Sequence, residues 1–181
     1  MKIALVGPGG AGKDTLSEFA AAEFDLKHVS CGDMLRYHVV ENNLGTPDRL
    51  TLRVVATHLR AEKGADYLVR KAIEMHPDGL VLSGLRAAAE AEAFKKLGGT
   101  IISVTAPMEK RFEWVRKRPD IDNEMSYEKF LERDTIESSN PDPNAPNIAA
   151  VMSHADIHIN NDSDKETLFL KFRQAMSSLL S

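Results

Sequence analysis

Short apolar runs lie at residues 2–6, 27–30, 79–83, 100–105 and 155–160, and every gap between them is long enough to hold a helix. Strands so separated cannot pair through tight hairpins. They pair in parallel, through right-handed helical crossovers. The pattern predicts an α/β fold, a doubly wound five-stranded parallel sheet with helices on both faces. Sheets of this kind bind ligands outside the carboxyl ends of their strands. The intervening segments have helical spacing: Leu16, Phe19 and Ala20 share a face within 13–23, as do Ala89, Ala93, Phe94 and Leu97 within 86–97. Thr46-Pro47-Asp48 reads as the start of a helix running to Gly64, with Thr46 as cap. Further helices are expected over 33–41, 65–75, from Pro107, over 127–138 and over 165–180, the last with Leu168, Phe169, Phe172, Met176 and Leu179 on one stripe. Residues 140–147, rich in proline and asparagine, form a loop. No repeat or linker divides the chain, so a single domain over 1–181 is expected.

Composition narrows the class. A length of 181 residues suits one well-cored domain, and a net charge of −4 argues against a general affinity for nucleic acid. The single cysteine, Cys31, excludes an internal disulfide. No apolar stretch approaches the ~20 residues of a membrane span. With no charged leader before the first strand, a mature cytoplasmic protein is expected, monomeric or homodimeric. His154 and His158 have a zinc-like spacing that requires a helix, whereas residues 155–160 alternate as a strand, so no metal is expected there.

The chemistry concentrates after the first strand. Gly7-Pro-Gly-Gly-Ala-Gly-Lys-Asp-Thr15 is a glycine-rich turn leading into a helix. Gly7, Gly9, Gly10 and Gly12 let the backbone curl with its amides inward, and the helix beginning near Lys13 adds the positive end of its dipole. The spacing fits the phosphate-binding loop G-x-x-x-x-G-K, except that Asp14 stands where the pattern has Ser or Thr and the hydroxyl follows at Thr15. Further polar clusters follow later strands: Ser30-Cys-Gly-Asp-Met-Leu-Arg36, Ser83-Gly-Leu-Arg86, then Arg111, Arg116, Arg118 and Arg133. Arginines gathered beside a phosphate loop suit phosphoryl transfer, where catalysis is mainly positioning and charge neutralisation. Other roles stay open: Asp33 as a helix cap, Arg36 and Arg86 as surface ion-pair partners, Arg116, Arg118 and Arg133 as solvated helix charges. Trp114 is open to core packing or to stacking on a donor base.

The phosphate loop together with Gly32-Asp-Met-Leu-Arg36 resembles the nucleoside monophosphate kinases, adenylate kinase above all. The rest of the chain is similar to the small archaeal adenylate-kinase-related proteins, and its last third to dephospho-CoA kinases, through Ser83-Gly-Leu-Arg86, Arg133-Asp134 and Ala155-Asp-Ile-His-Ile-Asn160. The resemblance implies a P-loop NTPase fold with an acceptor-binding helical arm over about 31–76 and a short lid over about 116–139. It implies ATP as donor, with GTP open, Mg²⁺, and a small nucleotide as acceptor. The loop from Gly7 through Gly9, Gly10, Ala11, Gly12, Lys13 and Asp14 to Thr15 would hold the donor. Arg36 and Arg86 would clamp the acceptor phosphate, Cys31 and Gly84 would adjoin the acceptor, and Glu90 would lie near where adenylate kinases read the acceptor base. Arg118 and Arg133 would close from the lid. Thr15, Asp14 and Asp33 would serve the metal, since Ser83 replaces the aspartate usual in adenylate kinases. Two alternatives accompany this reading: a dephospho-CoA kinase-like enzyme with Asp33 as base, and an ATPase switch in macromolecular assembly.

Overall fold

The computed structural model describes residues 1–117, 125–138, 140 and 146–180. Its strands are β1 (Lys2–Val6), β2 (Lys27–Ser30), β3 (Leu80–Ser83), β4 (Thr100–Thr105) and β5 (Ile157–Asn160). They form one parallel sheet in the order β2-β3-β1-β4-β5. The chain fills one side of β1 with β2 and β3, then crosses to the other side for β4 and β5. That reversal leaves a crevice at the carboxyl end of β1, where a ligand site is expected.

Side chains on β1 alternate between the two faces, and both faces are dry. Ile3 and Leu5 join Val81, Ile102, Val104 and Ile159 beneath α1 (Lys13–Glu23) and α9 (Lys165–Leu180). Ala4 and Val6 join Leu80, Leu82 and Ile101 on the opposite face, under α2 (Cys31–Glu41), α3 (Arg49–Lys63), α4 (Tyr67–Met75), α5 (Ala88–Lys96) and α8 (Ile148–Met152). Phe19 of α1 stacks on Phe169 of α9 at 3.8 Å, so the two helices close as a pair over their face. The remaining helices, α6 (Met108–Arg116) and α7 (Tyr127–Ser138), pack through Phe112, which lies edge-on to Tyr127 and tilted against Phe130.

Several element ends differ from expectation, and for α2 and α3 the reason is a different capping residue. α2 starts two residues early: Ser30 Oγ accepts from the Asp33 amide at 3.3 Å, so Ser30 is the cap and Asp33 lies inside the first turn. α3 is capped by Asp48, which accepts from the Thr51 amide at 2.8 Å, and not by Thr46. That amide holds the Asp48 carboxyl below the usual carboxylate range. α5 begins only at Ala88, which leaves Arg86 on the connection after β3. The short helix α8, capped by Asn147 through the Ala150 amide, is an addition to the expected elements. Among the described residues no helix is long and apolar enough to cross a membrane.

Candidate active site

Strand register places the site. Leu5 of β1 lies opposite Ser83 of β3, and Ser83 opposite Ser30 of β2, so the three strands end in one row. The glycine loop, Gly84 and Cys31 therefore leave the sheet along the same edge. Neighbouring strands are ~4.8 Å apart, which sets the start of α2 about 10 Å from the loop.

The loop's shape depends on missing side chains. Gly7, Gly10 and Gly12 have φ of 140°, 79° and 93°. A Cβ on Gly7 would stand 2.1 Å from the Val104 carbonyl oxygen, and one on Gly10 would stand 2.8 Å from that of Arg111. Space is tight at Gly12 as well, where a Cβ would meet Asn161 Nδ2 at 2.5 Å. The same Nδ2 donates to the Ala11 carbonyl at 3.1 Å, which ties the turn after β5 to the loop. Lys13, the first residue of α1, arches back over the loop, its Nζ donating to the Pro8 carbonyl at 2.7 Å. The result is a cradle at a helix N-terminus with a cation at its rim, an arrangement chemically suited to an anion.

Arg111 buttresses this cradle. It is 4% exposed, donates from Nη1 to the Gly9 carbonyl at 3.1 Å, and grips both oxygens of Asp134 at 2.6 and 2.9 Å. Its guanidinium also lies over the Phe130 ring. One buried side chain thus joins the loop, α6 and α7.

A family model described as an AAA domain matches residues 3–138. The chain is 32% identical over 185 residues to a UPF0200 protein of Methanosarcina mazei, covering 98% of this chain and 95% of that one. The chain belongs to the UPF0200 family of AAA-domain proteins. A UPF0200/UPF0201 protein of Archaeoglobus fulgidus is 33% identical over 186 residues, and the chain spans 55% of its length. A stretch of 75 residues is 36% identical to an adenylate kinase of Caldanaerobacter subterraneus, 34% of each chain. The shikimate kinase of Bacteroides thetaiotaomicron superposes with a TM-score of 0.65 at 15% identity, covering 100% of this chain and 99% of that one. The fold of this UPF0200 chain is that of the P-loop kinases.

The other residues singled out in the sequence fall at definite places. Asp33 and Arg36 are exposed on the first turns of α2 and pair with each other at 2.5 Å. Arg86, one-third exposed, pairs with Glu137 of α7 at 2.5 Å. Arg133 of α7 reaches Met125 Sδ at 3.7 Å. Arg118 lies outside the described residues. Gly84, with φ of 87°, passes close against Cys31, which is buried at the start of α2. Burial, and then the nearby Glu90 charge, push the Cys31 thiol far above its usual range, so it packs as a small apolar group.

Glu90 departs from its expected position beside an acceptor base. It is 1% exposed, and its oxygens accept from Arg60 Nε at 2.9 Å and from the amides of Arg86 and Ala87 at 2.7 and 3.1 Å. The carboxylate caps α5 and locks α3 to it, with no edge turned toward a ligand. Arg60 was missed in the sequence; it shares a helix face with the buried Ala56, but nothing in the order of residues marks an arginine there as buried. Ser83, where a metal-side carboxylate would stand in adenylate kinases, is buried with its Oγ 3.0 Å from His28 Nε2.

Thr15 and the exposed Asp14 lie on the first turn of α1, and the exposed Asp33 on the first turn of α2, so the candidate metal donors at this sheet edge are all oxygens. Among the described residues no group of three or more His, Cys, Asp or Glu converges. Oxygen donors of this kind fit a hard cation such as Mg²⁺, which binds through one or two side chains together with phosphate oxygens and water.

Proposed function

We propose that this chain is an ATP- and Mg²⁺-dependent phosphotransferase whose acceptor is a nucleoside monophosphate. The observation that carries the reading is the cradle formed by Gly7, Gly10, Gly12 and Lys13 at the sheet's reversal point, on a P-loop kinase fold. The partial identity with an adenylate kinase supports a nucleotide acceptor.

In this reading the loop from Gly7 to Thr15 binds the donor phosphates through its amides. Lys13 leaves the Pro8 carbonyl and neutralises charge on the transferring group. Thr15, Asp14 and Asp33 would hold Mg²⁺, which when bound would supply charge neutralisation at the phosphates. Arg36 and Arg86 orient the acceptor phosphate, exchanging their present carboxylate partners for it. Arg118 and Arg133 close over the transferring group and exclude water, so that transfer outruns hydrolysis. Arg111 acts through the loop, by fixing the Gly9 carbonyl, and is a positioning residue.

The test is ADP release measured across the ribo- and deoxynucleoside monophosphates and dephospho-CoA. One monophosphate should be turned over far faster than ATP is hydrolysed, and Lys13→Ala should abolish that turnover. A flat response over slow hydrolysis would instead support an ATPase switch. A response to dephospho-CoA alone would move the acceptor to a hydroxyl.

A further inference from the structure

Glu137 on α7 is one carboxylate gripped by two guanidinium groups from distant parts of the chain. Its Oε2 accepts from Arg86 Nη1 at 2.5 Å, and its Oε1 from Arg49 Nη2 at 3.0 Å. Arg86 follows β3, and Arg49 opens α3 on the helical arm. Glu137 brings the two together. Two positive charges around one negative charge leave the cluster cationic. The side chains of Arg49, Arg86 and Glu137 are 64%, 33% and 23% exposed. Ion pairs this accessible to water add little to stability and exchange readily. A carboxylate can make forked contacts to guanidinium groups, and a phosphate monoester offers the same contacts with a second charge and a third oxygen.

We propose that Arg49 and Arg86 together form a binding site for a phosphate monoester, and that Glu137 is a built-in stand-in for that anion. The proposal rests on the reading of Arg86 as an acceptor-phosphate residue, and it adds Arg49 and a mechanism of exchange. Arrival of the dianion displaces Glu137 and so releases α7 from α3 and from the β3 connection. Arg111 keeps its hold on Asp134, one turn before Glu137, so α7 stays anchored at the glycine loop and only its last turn is freed. Acceptor binding is thereby linked to release of the last turn of α7, and an empty acceptor site keeps that turn latched to the arm.

Calorimetric titration with inorganic phosphate at low ionic strength tests this. Glu137→Gln should bind phosphate about tenfold more tightly than the wild type, with an unchanged melting curve in the absence of phosphate. Adding Arg49→Ala to Glu137→Gln should erase the gain. Phosphate held in the glycine loop would respond to neither change, so the gain and its loss report this site alone. Equal phosphate affinity in the wild type and a folded Glu137→Gln variant overturns the proposal, as does a gain that survives Arg49→Ala. If Glu137→Gln does not fold, Arg49→Ala in the wild-type chain decides: phosphate affinity should fall severalfold, and an unchanged affinity overturns the proposal. A protein that phosphorylates no acceptor yet shows the Glu137 effect would sink the proposed kinase function and leave this anion site standing. Turnover of a nucleoside monophosphate without the Glu137 effect would do the reverse.

Discussion

At the scale of single residues, the site is made as much by absent atoms as by reactive ones. Gly7 sits at φ of 140° with its missing Cβ directed at the Val104 carbonyl, so the loop and β4 approach each other only because no side chain intervenes. Gly7→Ala should weaken ATP binding at least tenfold, about 1.4 kcal/mol, by forcing the loop off β4. Fluorescent-nucleotide titration would show it, and near-wild-type affinity would mean the loop tolerates the displacement. Cys31 offers a different residue-scale test. Its thiol stays protonated in the folded chain, while in the unfolded chain it ionises near its ordinary value of 9.0. Because the folded value lies above the unfolded one, the protonated thiol costs nothing below pH ~8.5, and stability is lost as pH rises beyond ~9. The slope due to this group is at most about 1.4 kcal/mol per pH unit. Urea unfolding at pH 8 and pH 10 should show a decline that is smaller in Cys31→Ala.

At the scale of elements, charge pairs do the joining that apolar packing does elsewhere. Arg60 and Glu90 form a buried link between α3 and α5, and Glu90 also satisfies two amides at the start of α5. A buried pair of this kind adds little over an apolar replacement, yet removing one member strands the other's charge. Glu90→Gln should therefore cost about 3–5 kcal/mol, read as a lower urea midpoint at unchanged m-value. Combining it with Arg60→Met should restore most of the loss, since the glutamine still accepts from the amides and no charge is left buried. If the double variant is no better than the single one, the damage lies in the cap and not in the unpaired guanidinium. The link between α6 and α7 follows the same logic through Arg111 and Asp134, with Phe112, Tyr127 and Phe130 packed beside it.

At the scale of the whole molecule, the sheet divides labour. β1, β3 and β4 are buried on both faces and hold the loop rigidly, the arm helices pack their apolar faces on that frame, and accessible ion pairs through Glu137 tie the end of α7 to both. A ligand that bridges frame and arm should therefore stabilise the fold as a unit. At a nucleotide concentration 100 times its dissociation constant, linkage adds about 2.7 kcal/mol. For a chain of this size that raises the melting temperature by about 5–10 °C. Differential scanning fluorimetry with ATP and Mg²⁺ should show the shift, and Lys13→Ala should lose it while melting normally without ligand. Absence of a shift in the wild type would remove the basis for a nucleotide site.

Much of this was legible in the amino-acid order because it is local. The strand runs, the glycine loop and the stripe of α9 from Leu168 to Met176 each declare themselves within a dozen residues, through periodicity and backbone freedom. Element ends were less legible, as Ser30 and Asp48 show, since neighbouring good caps compete over fractions of a kcal/mol. Strand order, the burial of Glu90 and the capture of Glu137 by Arg86 and Arg49 belonged to the tertiary structure alone. Arg86 and Glu137 stand 51 positions apart. No spacing rule connects charges at that separation; only the crossing of the chain over β1 brings them within reach.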